Sequence, residues 1–295
     1  MSVPPLVATC WTSAGAVMPM DQPELSPHSA LERLTAIAIT GWSGFGFSQD
    51  DLRQVEATIG FAAVRTAADQ LGLTHIEVEI AGGWWGPDDR LWRPTWELLL
   101  RAAKALNAKF IKVGTAFGEP LKDIAPLVGP MRCIAEEAHA VGTTIALEPL
   151  PFAMIASMPQ GADLIRAVDH PAAGLVVDYW HVFRANTSLD ELAERVPVEM
   201  VFGVELSDAQ HETVGTLFED TRDRRTLLTE GAQDVPGFIR TIREMGYTGA
   251  WGVEILSAEH RARSLENGLA LAHESAVRAF EMADRPINAT ISSPT

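Results

Sequence analysis

The runs TTIALEPL (143–150), AGLVVDYWH (173–181), MVFGVELSD (200–208) and GAWGVEIL (249–256) each carry an acid directly behind three to five largely apolar positions. Those acids are Glu148, Asp178, Glu205 and Glu254. A parallel strand covered on both faces reads as a continuous apolar run. An ionised carboxylate in the middle of such a strand is costly, so each acid is expected at the carboxyl end of its strand. The spacings of 30, 27 and 49 residues correspond to one βα unit each, the last with an enlarged loop. Four carboxylates then converge on one mouth.

Working outward, β-type runs also occur at LVATCW (6–11), WSGFGF (42–47), HIEVEIA (75–81) and KFIKVGTA (109–116), making eight in all. Segments with helical apolar spacing lie between the runs, among them SALERLTAIAIT, VEATIGFAAVRTAADQLG, TWELLLRAAKALN and MRCIAEEAHAVG. Gly72, Gly142 and Gly246 stand where helices are expected to stop. Eight strands alternating with helices over this length predict an α/β fold, a single (β/α)8 TIM barrel over 1–284. The active site is then expected in the loops at the strands' carboxyl ends. Residues 285–295 carry no periodicity and read as a C-terminal tail.

Composition narrows the function. The chain has 295 residues, is 47% hydrophobic and carries a formal net charge of −16, with no local basic cluster. That charge disfavours nucleic acid and anionic membrane as partners and favours a small-molecule substrate. No apolar stretch of membrane-spanning length occurs, and MSVPPLVATC lacks the features of a signal peptide, so a cytoplasmic protein is expected. Cys10 and Cys133 lack metal or disulfide spacing and read as ordinary buried thiols.

The segments IALEPLP, VVDYWH, VELSDA and TEGAQDVPGFIRTIREMGYTGAWGVEI resemble the sugar isomerase and epimerase group of the xylose isomerase-like barrels, which also contains inosose dehydratases and endonuclease IV. The resemblance covers most of the chain and is most specific in the carboxyl-terminal half. It implies a divalent metal held by Glu148, Asp178, position 205 and Glu254. The pattern departs from the family at Glu205, where HxHxxD would place a metal-binding His and this chain reads GVELSD. Glu205 is therefore read either as an oxygen ligand or as a salt-bridge partner at the barrel rim. An all-oxygen set suits Mn²⁺ or Mg²⁺ better than Zn²⁺. Its negative excess calls for a proton or for nearby cations, with Arg184, Arg224 and Arg225 as candidates.

A divalent ion beside a carbonyl acidifies the neighbouring C–H and favours an enediolate. The resemblance makes Glu148 and Glu254 the acid/base pair and His181, in DYWH, a catalytic residue that contacts a substrate oxygen. Arg184 and Arg225 are expected substrate contacts, although the turn after Arg225 reads LTEG, without the family's Pro and first Gly. Trp11, Trp42, Trp84, Trp85, Phe117 and Trp180, with Phe152, are expected to form an aromatic mouth for a substrate with an aryl or hydrophobic portion. Trp92 and Trp96, at helical spacing, read as packing residues. Three functions stay open: a metal-dependent isomerase or epimerase of a sugar-like hydroxy-ketone, a lyase or dehydratase on the same scaffold, and a non-catalytic binding relative. Nuclease chemistry is disfavoured by charge and by the lack of further His ligands. The family's habit of pairing makes a homo-oligomer an expectation from resemblance alone.

Overall fold

The structure, a computed structural model, describes residues 3–286. The expected tail lies outside the described residues from position 287 onward. Eight parallel strands close into a barrel: β1 (Leu6–Ala8), β2 (Gly44–Ser48), β3 (His75–Ala81), β4 (Phe110–Val113), β5 (Ile145–Leu147), β6 (Ala173–Asp178), β7 (Val201–Leu206) and β10 (Trp251–Val253). Between β7 and β10 the enlarged loop folds a small antiparallel ribbon from β8 (Asp208–Ala209) and β9 (Arg225–Thr226). The barrel closes where β1 pairs with β10, Ala8 lying opposite Val253. The eight apolar runs are thus the eight barrel strands, and the fold is a (β/α)8 TIM barrel.

The helices form where the apolar spacing places them, and short polar residues start them. Ser29 and Glu32 make a reciprocal capping box at the helix Ala30–Ile39, and Thr216 and Glu219 make another at Leu217–Asp223. Gly72, Gly142 and Gly246 follow helix ends with φ of 72°, 86° and 98°, a left-handed conformation that glycine adopts without a Cβ penalty. One expected helix divides. The stretch VEATIGFAAVRTAADQLG is split between Gln49–Ala57 and Phe61–Gln70, because Gly60 at φ 76° turns the chain between them. Cys10 is buried as expected, whereas Cys133 is exposed: it falls on the solvent side of the helix Ala125–Ala140 while Met131 and Ile134 face inward.

Glycines in the strands make room inside the barrel. Phe110, Ala146 and Val176 form a small interior cluster on which Phe202 packs. A Cβ on Gly174 would stand 2.5 Å from the Phe202 ring, and one on Gly203 would stand 3.0 Å from the tip of Phe110. Gly174→Ala is expected to cost about 1–3 kcal/mol through overpacking, read by urea unfolding. Recovery in the Gly174→Ala/Phe202→Leu double variant checks that this ring is the obstacle.

Candidate active site

Each of the four acids leaves its strand at the same end of the barrel. The Glu148 amide donates to Val113 O at 3.0 Å and the Glu254 amide to Leu206 O at 2.9 Å, which continues the ladder one residue beyond β5 and β10. Asp178 ends β6 opposite Glu205 of β7. It also starts the helix Tyr179–Arg184: its Oδ1 accepts from the Trp180 amide at 2.6 Å and the His181 amide at 3.3 Å. All four are buried, and one oxygen from each lies within 4.8 Å of the others. Glu148, Asp178 and His181 form an overlapping group of the same kind.

Two cations thread this cluster. Arg225 is completely buried and donates from Nη1 to Asp178 Oδ2 at 2.6 Å, with Nη2 3.3 Å from Glu254 Oε2 and further bonds to Thr221 and Ser207. Its neighbour Arg224, at the end of the helix Leu217–Asp223 just before β9 begins, is exposed. The second cation is Lys112 of β4, which the acid-centred reading of the sequence passed over. Its Nζ lies 2.7 Å from Glu205, 3.1 Å from Glu79, 3.3 Å from Glu254 and 3.8 Å from Glu148. Glu79 of β3 was missed in the same way. Both carried a visible signal, a charge inside an apolar run, in HIEVEIA and KFIKV.

Electrostatics sort these groups. Burial alone would lower Lys112, but the surrounding carboxylates outweigh it and hold the ammonium well above its ordinary value. Burial, reinforced by Glu254 and Glu148 and only partly offset by Lys112, pushes Glu79 up to about 8. Burial would raise Glu148 as well, yet Lys112, His181 and Arg225 pull it down to about 2. Glu205 and Glu254 are raised, first by burial and then by neighbouring acids, against the pull of Lys112. Glu79 is thus neutral near pH 7, and Glu148 Oε1 is buried without a hydrogen-bond partner. The oxygen donors of Glu148, Asp178, Glu205 and Glu254 fit a hard dication.

Above the cluster opens a cavity of about 190 Å³. Its floor is Glu79, Lys112, Glu148, His181, Arg225 and Glu254, and its walls include Trp11, Leu150, Phe117, Phe152 and Phe218. Phe117 packs on Phe152 at 5.1 Å and on Phe218 at 5.3 Å between ring centroids. Of the expected mouth residues, Trp11, Phe117 and Phe152 reach the cavity, whereas Trp42, Trp84, Trp85 and Trp180 do not. Trp42 precedes β2 and packs edge-on against His273. Trp84 is buried with Nε1 donating to Gly114 O at 2.9 Å, and Trp85 packs on Trp84. Trp180 is buried behind the floor, against His181 and Arg225. Arg184 turns to Asp220 at 2.8 Å and to the carbonyls of Gln210 and His211, so it fastens the enlarged loop and does not line the cavity. Phe218, on that same loop, carried no strand-end signal and was missed. Trp96 is fully buried, as expected of a packing residue.

A parallel eight-stranded barrel with a buried carboxylate and histidine cluster at the carboxyl ends of its strands defines the class. The chain belongs to the xylose isomerase-like TIM barrel family, which matches residues 34–275. It is 27% identical over 240 residues to a 3-dehydroshikimate dehydratase of Pseudomonas aeruginosa, an alignment covering 78% of this chain and 37% of that protein. It is 25% identical over 185 residues to an inosose isomerase of Halalkalibacterium halodurans, covering 61% of this chain and 64% of that one. The chain therefore spans less than two thirds of either relative. The crystal structure of the IOLI protein with a bound zinc atom superposes with a TM-score of 0.75 at 16% identity, over 93% of this chain and 97% of that chain. Among the described residues, no helix is long and apolar enough to cross a membrane.

Proposed function

We propose that the protein is a divalent-metal-dependent isomerase or epimerase of a sugar-like hydroxy-ketone bearing an apolar or aryl portion. The observation that carries this reading is the pair Glu148 and Glu254 on one cavity floor, with Lys112 between them and their acidities pushed apart. Two carboxyl groups tuned in opposite directions are suited to opposite halves of a proton transfer. Glu148, ionised at neutral pH, takes the proton next to the substrate carbonyl. Glu254, raised, returns a proton from its own side. Arg225 and Lys112 offer donors to the oxygens on which charge develops. Glu148, Asp178 and Glu254 would hold the ion, with Glu205 the fourth acid in reach. When bound, such an ion supplies Lewis acidity to a carbonyl, and the oxygen-rich set favours Mn²⁺ or Mg²⁺ over Zn²⁺. The three phenylalanines take the apolar portion.

A lyase is the second reading, favoured by one feature. His181 is buried, its Nδ1 has no hydrogen-bond partner, and its Nε2 lies 3.6 Å from Glu148, so it can serve as the acid for a departing hydroxyl. The dehydratase among the relatives agrees with it. The test is metal analysis followed by incubation of the Mn²⁺ form with ketoses, inososes and aryl-substituted hydroxy-ketones in D₂O. Deuterium incorporated into a product of otherwise unchanged composition is the expected result. Loss of water from the product selects the lyase, and no exchange in any compound with a metal-loaded protein defeats both.

A further inference from the structure

The charged groups divide into those that face the cavity and those behind it. Lys112, Arg225, Glu148 and Glu254 line the cavity, whereas Asp178 and Glu205 do not. Each cavity-facing cation sits on one recessed acid: Arg225 on Asp178 at 2.6 Å and Lys112 on Glu205 at 2.7 Å. The Lys112 contact crosses the lumen, since β5 and β6 separate β4 from β7 in the barrel. The neighbouring strand makes space for it. A Cβ on Gly252, which pairs with Glu205, would stand 2.9 Å from Glu205 Cγ and 2.8 Å from Thr9 Cγ2.

We propose that Glu205 is the fixed partner of Lys112 and not a fourth metal ligand, so that the contact between them places an ammonium on the cavity floor. This deepens the metal-dependent reading above and rests on it. Asp178 differs from Glu205 in how its charge is met: besides Arg225 it accepts two backbone amides, and it belongs to both candidate ligand groups. Of the four contacts Lys112 makes with acids, the one to Glu205 is the shortest. The rival arrangement is an ion on Glu205 Oε2, which is buried without a partner.

A cycle of Mn²⁺ titrations by calorimetry separates the two. Glu205→Gln leaves an unpaired ammonium beside the ion, and Mn²⁺ is expected to bind about tenfold weaker. Lys112→Met removes a competing cation and is expected to tighten Mn²⁺ about tenfold. The Lys112→Met/Glu205→Gln double variant should return to within about threefold of wild type, while Glu148→Gln stays about 100-fold weaker. A double variant as impaired as Glu148→Gln makes Glu205 a ligand and overturns the proposal. If wild type takes up no Mn²⁺, the metal-dependent reading fails, and the thermal unfolding of the same proteins decides the pair. A double variant with a higher Tm than Glu205→Gln and Lys112→Met supports it, and strictly additive losses overturn it.

Discussion

Glu148→Gln is expected to abolish solvent proton exchange in a hydroxy-ketone substrate by about 10²–10⁴-fold, the range for loss of a positioned general base. Glu254→Gln is expected to fail differently. Glu148 is held ionised by Lys112, His181 and Arg225 against its burial, so it is ready to accept a proton. Glu254 is raised by burial and by neighbouring acids, so of the two it is the better suited to deliver a proton. Glu254→Gln should therefore still wash solvent deuterium into the substrate at the original configuration while epimerised product falls by about the same 10²–10⁴-fold. Both variants keep an oxygen donor at the position and are compared at saturating Mn²⁺, with exchange followed by NMR and product by mass spectrometry. Equal loss of exchange in the two would show that the carboxyl groups do not divide the work as their environments suggest.

Arg225→Met is expected to cost about 3–5 kcal/mol of folding stability, because removing one partner of a buried pair leaves an uncompensated charge. The side chain is fully buried, binds Asp178 at 2.6 Å and Glu254 at 3.3 Å, and donates to Thr221 Oγ1 from both Nε and Nη2. It also fixes β9 to the barrel, where its own amide donates to Leu256 O at 3.0 Å. Arg225→Lys should recover part of the loss, since it restores the charge without the planar fork that reaches Asp178 and Thr221 together. Urea unfolding measures both. An Arg225→Met protein within about 1 kcal/mol of wild type would mean that solvent reaches the pair and screens it.

How far the site was legible depends on which rule each residue obeys. Glu148, Asp178, Glu205 and Glu254 were legible because each breaks an apolar run, and the strands hold them at one end of the barrel. Lys112 and Glu79 break apolar runs too, but these charges in two neighbouring strands show no repeat from unit to unit that would mark them as part of the site. Arg225 could not be told from Arg224 until the fold placed Arg225 on β9 against the cluster and left Arg224 at the exposed end of the preceding helix. The aromatic mouth was read from composition near strand ends. That criterion succeeds for Trp11, Phe117 and Phe152 and fails for Trp42, Trp84, Trp85 and Trp180, which satisfy packing or hydrogen bonds elsewhere.

The sequence by itself determined the eightfold strand and helix alternation and the carboxyl-end placement of the four acids. Both follow from local periodicity and from the cost of burying a charge within a strand. Only the tertiary structure decided which charges meet. Lys112 and Glu205 are 93 residues apart and Asp178 and Arg225 are 47 apart. Closing the barrel brings these pairs within hydrogen-bond distance, and their mutual fields then set which carboxyl group is ionised.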